Sequence, residues 1–109
     1  MNDCIFCKIV AGEIPATKVH ETEDTLAFLD VKPVSPGHTL VIPKKHYENI
    51  FDIPEDILAK VISETKYIAK TVKESTNADG ISISQNNGEA AGQVVHHLHF
   101  HVIPRSKHR

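Results

Sequence analysis

The sequence contains no long apolar run, no surplus of basic charge and no cysteine framework, and each absence removes a class of function. Its longest apolar stretches, such as residues 39–43 and 94–95, fall far short of the ~18–20 residues that a bilayer span needs. Nor does the chain open with the charged, apolar and small-residue blocks of a secretory signal, so a cytoplasmic protein without a membrane partner is expected. Lys and Arg number 12 against 14 Asp and Glu, a formal net charge of -2 with histidine neutral. That balance offers no positive field to track a phosphate backbone, and nucleic acid is not an expected partner. Two cysteines cannot build a disulfide framework, and a chain of 109 residues buries enough surface on folding to do without one. Repeats, low-complexity tracts and Gly/Ser linkers are missing too, while 40% hydrophobic and 24% charged residues are ordinary for a globular protein. Residues 1–109 are expected to form one domain. What is abundant is histidine: there are 8 in the chain, and His96, His97, His99 and His101 stand almost side by side.

Periodicity outlines the elements. Residues 3–13 place Ile5, Phe6, Ile9 and Val10 at helical spacing, with Asn2 or Asp3 as N-cap and Gly12 as a stop. Period-two alternation predicts strands over residues 18–21 and 25–31, joined by a polar turn, and the β-rich run 38–42 predicts a third, ended by Pro43. Residues 52–77 read as a long amphipathic helix. Pro54 suits its first position, and Ile57, Leu58, Val61, Ile62, Thr65, Ile68, Ala69 and Val72 form one apolar face. Strands over 81–84 and 94–103 follow, separated by the Gly-containing turn 86–92. The expected fold is α+β: a mostly antiparallel five-stranded sheet, one long helix and a short N-terminal one, with room for a parallel pair across the long helix.

In the last segment, strand alternation projects His97, His99 and His101 to one side at steps of ~6.6 Å, while Leu98, Phe100 and Val102 project to the other. A single histidine there reads as an ordinary solvated or hydrogen-bonded residue, but a hydrophobic strand gains nothing from three titratable rings that each need partners. The row fits either a His-x-His metal site or acid/base and nucleophilic work on an anion. Just upstream, Gly88 and Gly92 lie in a turn whose backbone N–H groups can approach phosphate oxygens closely, which favours the second.

Residues 92–105, Gly-Gln-Val-Val-His-His-Leu-His-Phe-His-Val-Ile-Pro-Arg, resemble the signature of the histidine triad superfamily. The segments Cys4-Ile5-Phe6-Cys7, Glu13-Ile14-Pro15-Ala16, Leu26-Ala27-Phe28-Leu29-Asp30 and the run from Gly37 to His46 are similar to its Hint-like branch, so the resemblance spans nearly the whole chain. It implies a homodimer, its sheet continued between subunits, that binds a purine nucleotide such as AMP. The implied activity is hydrolysis at the α-phosphate of nucleoside 5′-phosphoramidates or related conjugates through a nucleotidyl-histidine. Alternatives are a dinucleoside polyphosphate hydrolase, a nucleotide-binding scaffold with incidental turnover, or a small zinc module.

By the same resemblance His99 is the nucleophile, and a backbone carbonyl near His97 fixes its tautomer. His101 donates to a phosphate oxygen, Gln93, Asn86 and the N–H groups around Val94 stabilise charge, and His97 and His38 support. Asp30 takes the ribose hydroxyls, while Phe6, Ile9, Ile14, Phe28, Leu29 and Val31 form an apolar base pocket, with Gly92, Val94 and Val95 along the phosphate side. Val94 stands where some members carry a hydroxyl. The chain ends soon after Arg105, so an open leaving-group side is expected.

Cys4-x-x-Cys7 alone is half a zinc site, a redox pair or two structural thiols. A tetrahedral site requires two more ligands, and His46 and His97 are on offer. The resemblance implies that Cys4, Cys7, His46 and His97 hold one structural zinc, which would leave the ring of His97 to orient and not to react. His20, His96 and His108 are expected to be solvated.

Overall fold

The computed structural model describes residues 3–107. In chain order it forms α1 (Ile5–Val10), β1 (Lys18–Glu21), β2 (Thr25–Leu29), β3 (Thr39–Pro43), α2 (Glu55–Thr76), β4 (Gly80–Ser84) and β5 (Phe100–Arg105), with a 3-10 turn at Glu89–Ala91. The five strands make one sheet in the order β1-β2-β3-β5-β4, and every pairing is antiparallel. The α+β class holds, but the anticipated parallel pair does not form. After the α2 crossover β4 does run in the same direction as β3, yet β5 returns between them and pairs with both.

Strand alternation gives the sheet two buried faces. Ala27, Val41, Phe100 and Val102 point to α2, where they meet Val61, Ile68 and Val72. Leu26, Phe28, Leu40 and Ile42 point the other way and are covered by Phe6 and Ile9 of α1. Cross-strand partners share a face, so the register Phe28–Leu40–His101 runs as one row across β2, β3 and β5 on the α1 side. That row carries the site.

Several boundaries differ from the sequence pattern for identifiable reasons. The last strand starts at Phe100 and not at residue 94. Residues 95–97 bend, so that Val94 and Val95 both line one cavity, and the backbone stays off the ladder: the Leu98 N–H donates to the Tyr47 carbonyl, a loop group, at 2.7 Å. Helix α1 is capped by Cys4, whose Sγ accepts the Cys7 N–H at 3.4 Å, and not by Asp3; Asn2 lies outside the described residues. Pro54 is the extended residue before α2 and not its first helical one. At the other end Asn77 adopts φ 56°, and the Ala78 N–H closes onto the Lys73 carbonyl, which ends the helix. Gly37, at φ 95°, sits so close to this helix end that a Cβ would come within 2.6 Å of Thr76 Cγ2.

On the apolar face of α2, Ile62 is left 47% exposed, whereas Glu64 is buried. Its carboxylate accepts the Nδ1–H of His20 from β1 at 2.6 Å, and the His20 ring lies against Tyr67, so His20 is a strand-to-helix tie and not a solvated residue. His96 is exposed beside Glu48 as expected, and His108 lies outside the described residues. Among the described residues no helix is long and apolar enough to cross a membrane.

Ile68 is fully buried between α2 and the sheet. Ile68→Ala is expected to cost about 2–5 kcal/mol, read from the midpoint of urea unfolding.

Candidate active site

A cavity of about 560 Å³ opens on the α1 side of the sheet. Its wall is apolar, made by Ile5, Phe6 and Ile9 of α1, Ile14, Pro15 and Ala16 of the next loop, and Phe28, Leu29, Leu40 and Val31 of the β2–β3 hairpin. His99, His101, Asp30, Gly92, Val94 and Val95 close the polar end. Most of these residues are the ones that the family resemblance implies. Ile5, Pro15, Ala16, Lys32 and Leu40 were missed, although Leu40 is the direct cross-strand partner of Phe28.

Hydrogen bonds fix which ring nitrogens carry protons. His99 Nδ1–H donates to the His97 carbonyl at 2.8 Å, which leaves the lone pair on Nε2. Behind His101, His38 Nδ1 accepts the Val34 N–H at 3.1 Å, so His38 Nε2–H donates to His101 Nδ1 at 3.0 Å. His101 in turn keeps its hydrogen on Nε2. Asp30 Oδ2 lies 3.6 Å from His38 Nε2, and its Oδ1 accepts the Lys32 N–H at 2.9 Å. The residue between the triad positions matters as well: Leu98 is fully buried in the α2-side core and anchors the segment that carries both His97 and His99.

Burial lowers the pKa values of His38, His99 and His101 from the ordinary imidazole value, and it pushes that of His97 down to about 4. Around neutral pH the rings are therefore uncharged, as nucleophiles and metal ligands must be.

Gln93 does not face the cavity. Its Oε1 accepts the Gly88 N–H at 2.7 Å, and its Nε2 donates to the Glu48 and Val95 carbonyls at 2.6 and 3.1 Å. These bonds occupy the buried amide, so Gln93 shapes the turn and its side chain does not line the cavity. Asn86 is exposed beside Gly92 and is absent from the cavity lining. His38 is buried behind the lining, and the His97 ring points elsewhere.

That ring meets Cys4, Cys7 and His46, whose ligand atoms all lie within 4.8 Å of one another. His97 Nδ1 is 3.3 Å from Cys4 Sγ and 3.5 Å from Cys7 Sγ, and His46 Nδ1 is 3.3 Å from Cys7 Sγ. Tetrahedral zinc with ordinary Zn–S and Zn–N bonds requires sulfur–nitrogen separations of roughly 3.5 Å. The donor set fits. His97 Nε2–H is committed to the Pro43 carbonyl at 2.8 Å, which orients the ring so that the Nδ1 lone pair faces the sulfurs.

Known proteins share this sheet and this row of histidines. The family model described as HIT domain matches residues 11–108. An uncharacterized HIT-like protein of Methanocaldococcus jannaschii is 53% identical over 94% of this chain and 78% of its own. An adenosine 5′-monophosphoramidase of Candida albicans is 44% identical over 94% of this chain and 70% of its own. Among solved structures, a zinc-bound histidine triad family protein from Mycobacterium smegmatis superimposes with a TM-score of 0.93 at 42% identity, over 97% of this chain and 77% of that one. The chain belongs to the histidine triad, or HIT, family.

Two outcomes follow from the geometry. Because the folded state favours neutral His38, His97, His99 and His101, the unfolded chain binds more protons below about pH 6.5. Folding stability should be full above that pH and fall as pH drops through the lowered values, seen as a declining urea midpoint between pH 7.5 and 4.5. Gln93→Ala leaves the Gly88 N–H without its acceptor and is expected to cost about 1–3 kcal/mol in the same assay.

Proposed function

We propose that the protein hydrolyses nucleoside 5′-phosphoramidates or related nucleotide conjugates at the α-phosphate. The observation that carries this is the His99 imidazole, pinned through Nδ1–H to the His97 carbonyl at the polar end of an apolar cavity, with Nε2 left as a lone-pair donor. Binding alone needs no such nucleophile. The family membership and the likeness to an adenosine 5′-monophosphoramidase support the same reading.

In this mechanism a purine base enters between Phe6, Ile9, Ile14, Phe28, Leu29 and Val31, and Asp30 accepts from the ribose hydroxyls. The α-phosphate then lies by His99 and His101, with the backbone of Gly92, Val94 and Val95 alongside. His99 Nε2 attacks phosphorus in line. The P–N bond breaks with its electron pair on the amine, which leaves protonated by water. His101 Nε2–H donates to a non-bridging oxygen as charge develops, and His38 holds His101 in the donor tautomer. Water next attacks phosphorus, gives its proton to the hydroxide left by the first step, and breaks the P–N bond to His99, whose imidazole leaves neutral; AMP is released when the base is adenine. Val94 contributes no hydroxyl here, so its backbone N–H is the only donor it offers.

The tetrad Cys4, Cys7, His46 and His97 would hold one structural zinc per chain, which supplies four bonds and no open position for water. The fitted donor distances and the zinc-bound relative support it. We further propose that the 109 residues act as one domain in a cytoplasmic homodimer whose sheet continues through the β4 edge, where Ile83 is half exposed.

Incubation with an adenosine phosphoramidate and, separately, a diadenosine polyphosphate tests the assignment. AMP release from the first is expected, and His99→Ala should reduce it at least ~1,000-fold. No turnover of either substrate defeats the hydrolase reading; preferred turnover of the second favours the dinucleoside polyphosphate alternative. Metal analysis of reduced protein should give one zinc per chain, and Cys4→Ser should lower both zinc content and unfolding midpoint.

A further inference from the structure

We propose that metal occupancy of the Cys4/Cys7/His46/His97 tetrad sets the affinity of the nucleotide cavity, so that the tetrad is an allosteric site for the histidine triad. The inference rests on the nucleotide reading above and adds its regulation. Two physical links join the sites, and both run through residues of this chain.

The first link is Phe6. Helix α1 has only six residues, too few to hold its shape unaided. Cys4 caps it and Cys7 lies one turn on, so the two sulfurs bracket Phe6. The Phe6 ring meets His99 edge-on, with centroids 5.1 Å apart, and also meets His97 at 5.8 Å and Phe28 at 5.5 Å. A metal held by both sulfurs and by His97 fixes the helix whose ring forms the cavity wall beside the nucleophile. Metal would add to the packing that this segment already has on the sheet through Phe6, Ile9, Cys4 and Val10.

The second link is His97 itself. Its ring offers Nδ1 to the two sulfurs, while its backbone carbonyl accepts the Nδ1–H of His99 at 2.8 Å. A backbone shift of this residue on loss of metal would move the acceptor that fixes the His99 tautomer. The tetrad is also reachable: His97 is fully buried, but His46 is exposed, so metal exchanges from the outer side without entering the nucleotide cavity.

Linkage makes the effect reciprocal: the factor by which metal strengthens nucleotide binding equals the factor by which nucleotide strengthens metal binding. Stripping zinc with a chelator should weaken AMP binding, measured by calorimetry, by about 10-fold or more, and AMP should raise zinc affinity, measured by chelator competition, by the same factor. Phe6→Leu should retain zinc but shrink both factors. His46→Ala removes the exposed ligand and no cavity residue, and it keeps the test valid should fully stripped protein lose its α2 circular dichroism. This variant should bind AMP weakly at low zinc and recover wild-type affinity as added zinc refills the site.

AMP affinity that stays within twofold across the zinc range, in protein with its helical signal intact, overturns the coupling. If zinc-loaded wild type binds no AMP at all, the nucleotide reading fails and the coupling is decided by hydrogen exchange. Stripping zinc should then deprotect the amides of residues 7–12 while sparing α2. Equal exchange there overturns it.

Discussion

Most of the site depends on how one buried residue is held. His97 is fully enclosed and spends each of its polar groups on a different part of the molecule: Nε2–H on the Pro43 carbonyl at the end of β3, Nδ1 on the sulfurs of the N-terminal segment, and its carbonyl on the His99 ring. A buried imidazole left without partners would be costly. Satisfying it therefore ties together β3, α1 and the start of β5, and the orientation of the His99 ring follows from those ties.

The sheet supplies the complementary constraint. Its central strands β2 and β3 are covered on both faces, so their side chains have no freedom to re-aim. Phe28, Leu40 and His101 are aligned by register alone, and His38 stands behind His101 just ahead of β3. The proton order of the His38–His101 pair follows from a backbone donor, Val34 N–H, and the Asp30 carboxylate stands 3.6 Å from the same His38 Nε2.

Much of this was legible from residue order, because period two and period 3.6 are local. Residues 18–21 form a strand as read, and α2 differs from its expected limits only at the ends. The histidine segment misled in one respect: His97, Leu98, His99, Phe100 and His101 alternate in sequence, but strand pairing begins only at Phe100. Alternation reports which way side chains point; it does not report what the backbone bonds to. Gln93, given a role in charge stabilisation by resemblance, belongs to the turn because its partners Glu48 and Gly88 come from outside the motif. Glu64 was unreadable for the same reason, since nothing within α2 announces that His20, 44 positions away, will meet it.

The sequence separation within the tetrad bears on the order of assembly. Cys4 and His97 stand 93 positions apart, and Cys7 and His46 stand 39 apart, so closing them in a disordered chain carries the loop entropy of nearly the whole polypeptide. A metal that bound this tetrad would therefore be captured once the strands had brought His46 and His97 together, and the chain would acquire its topology without that ion's help.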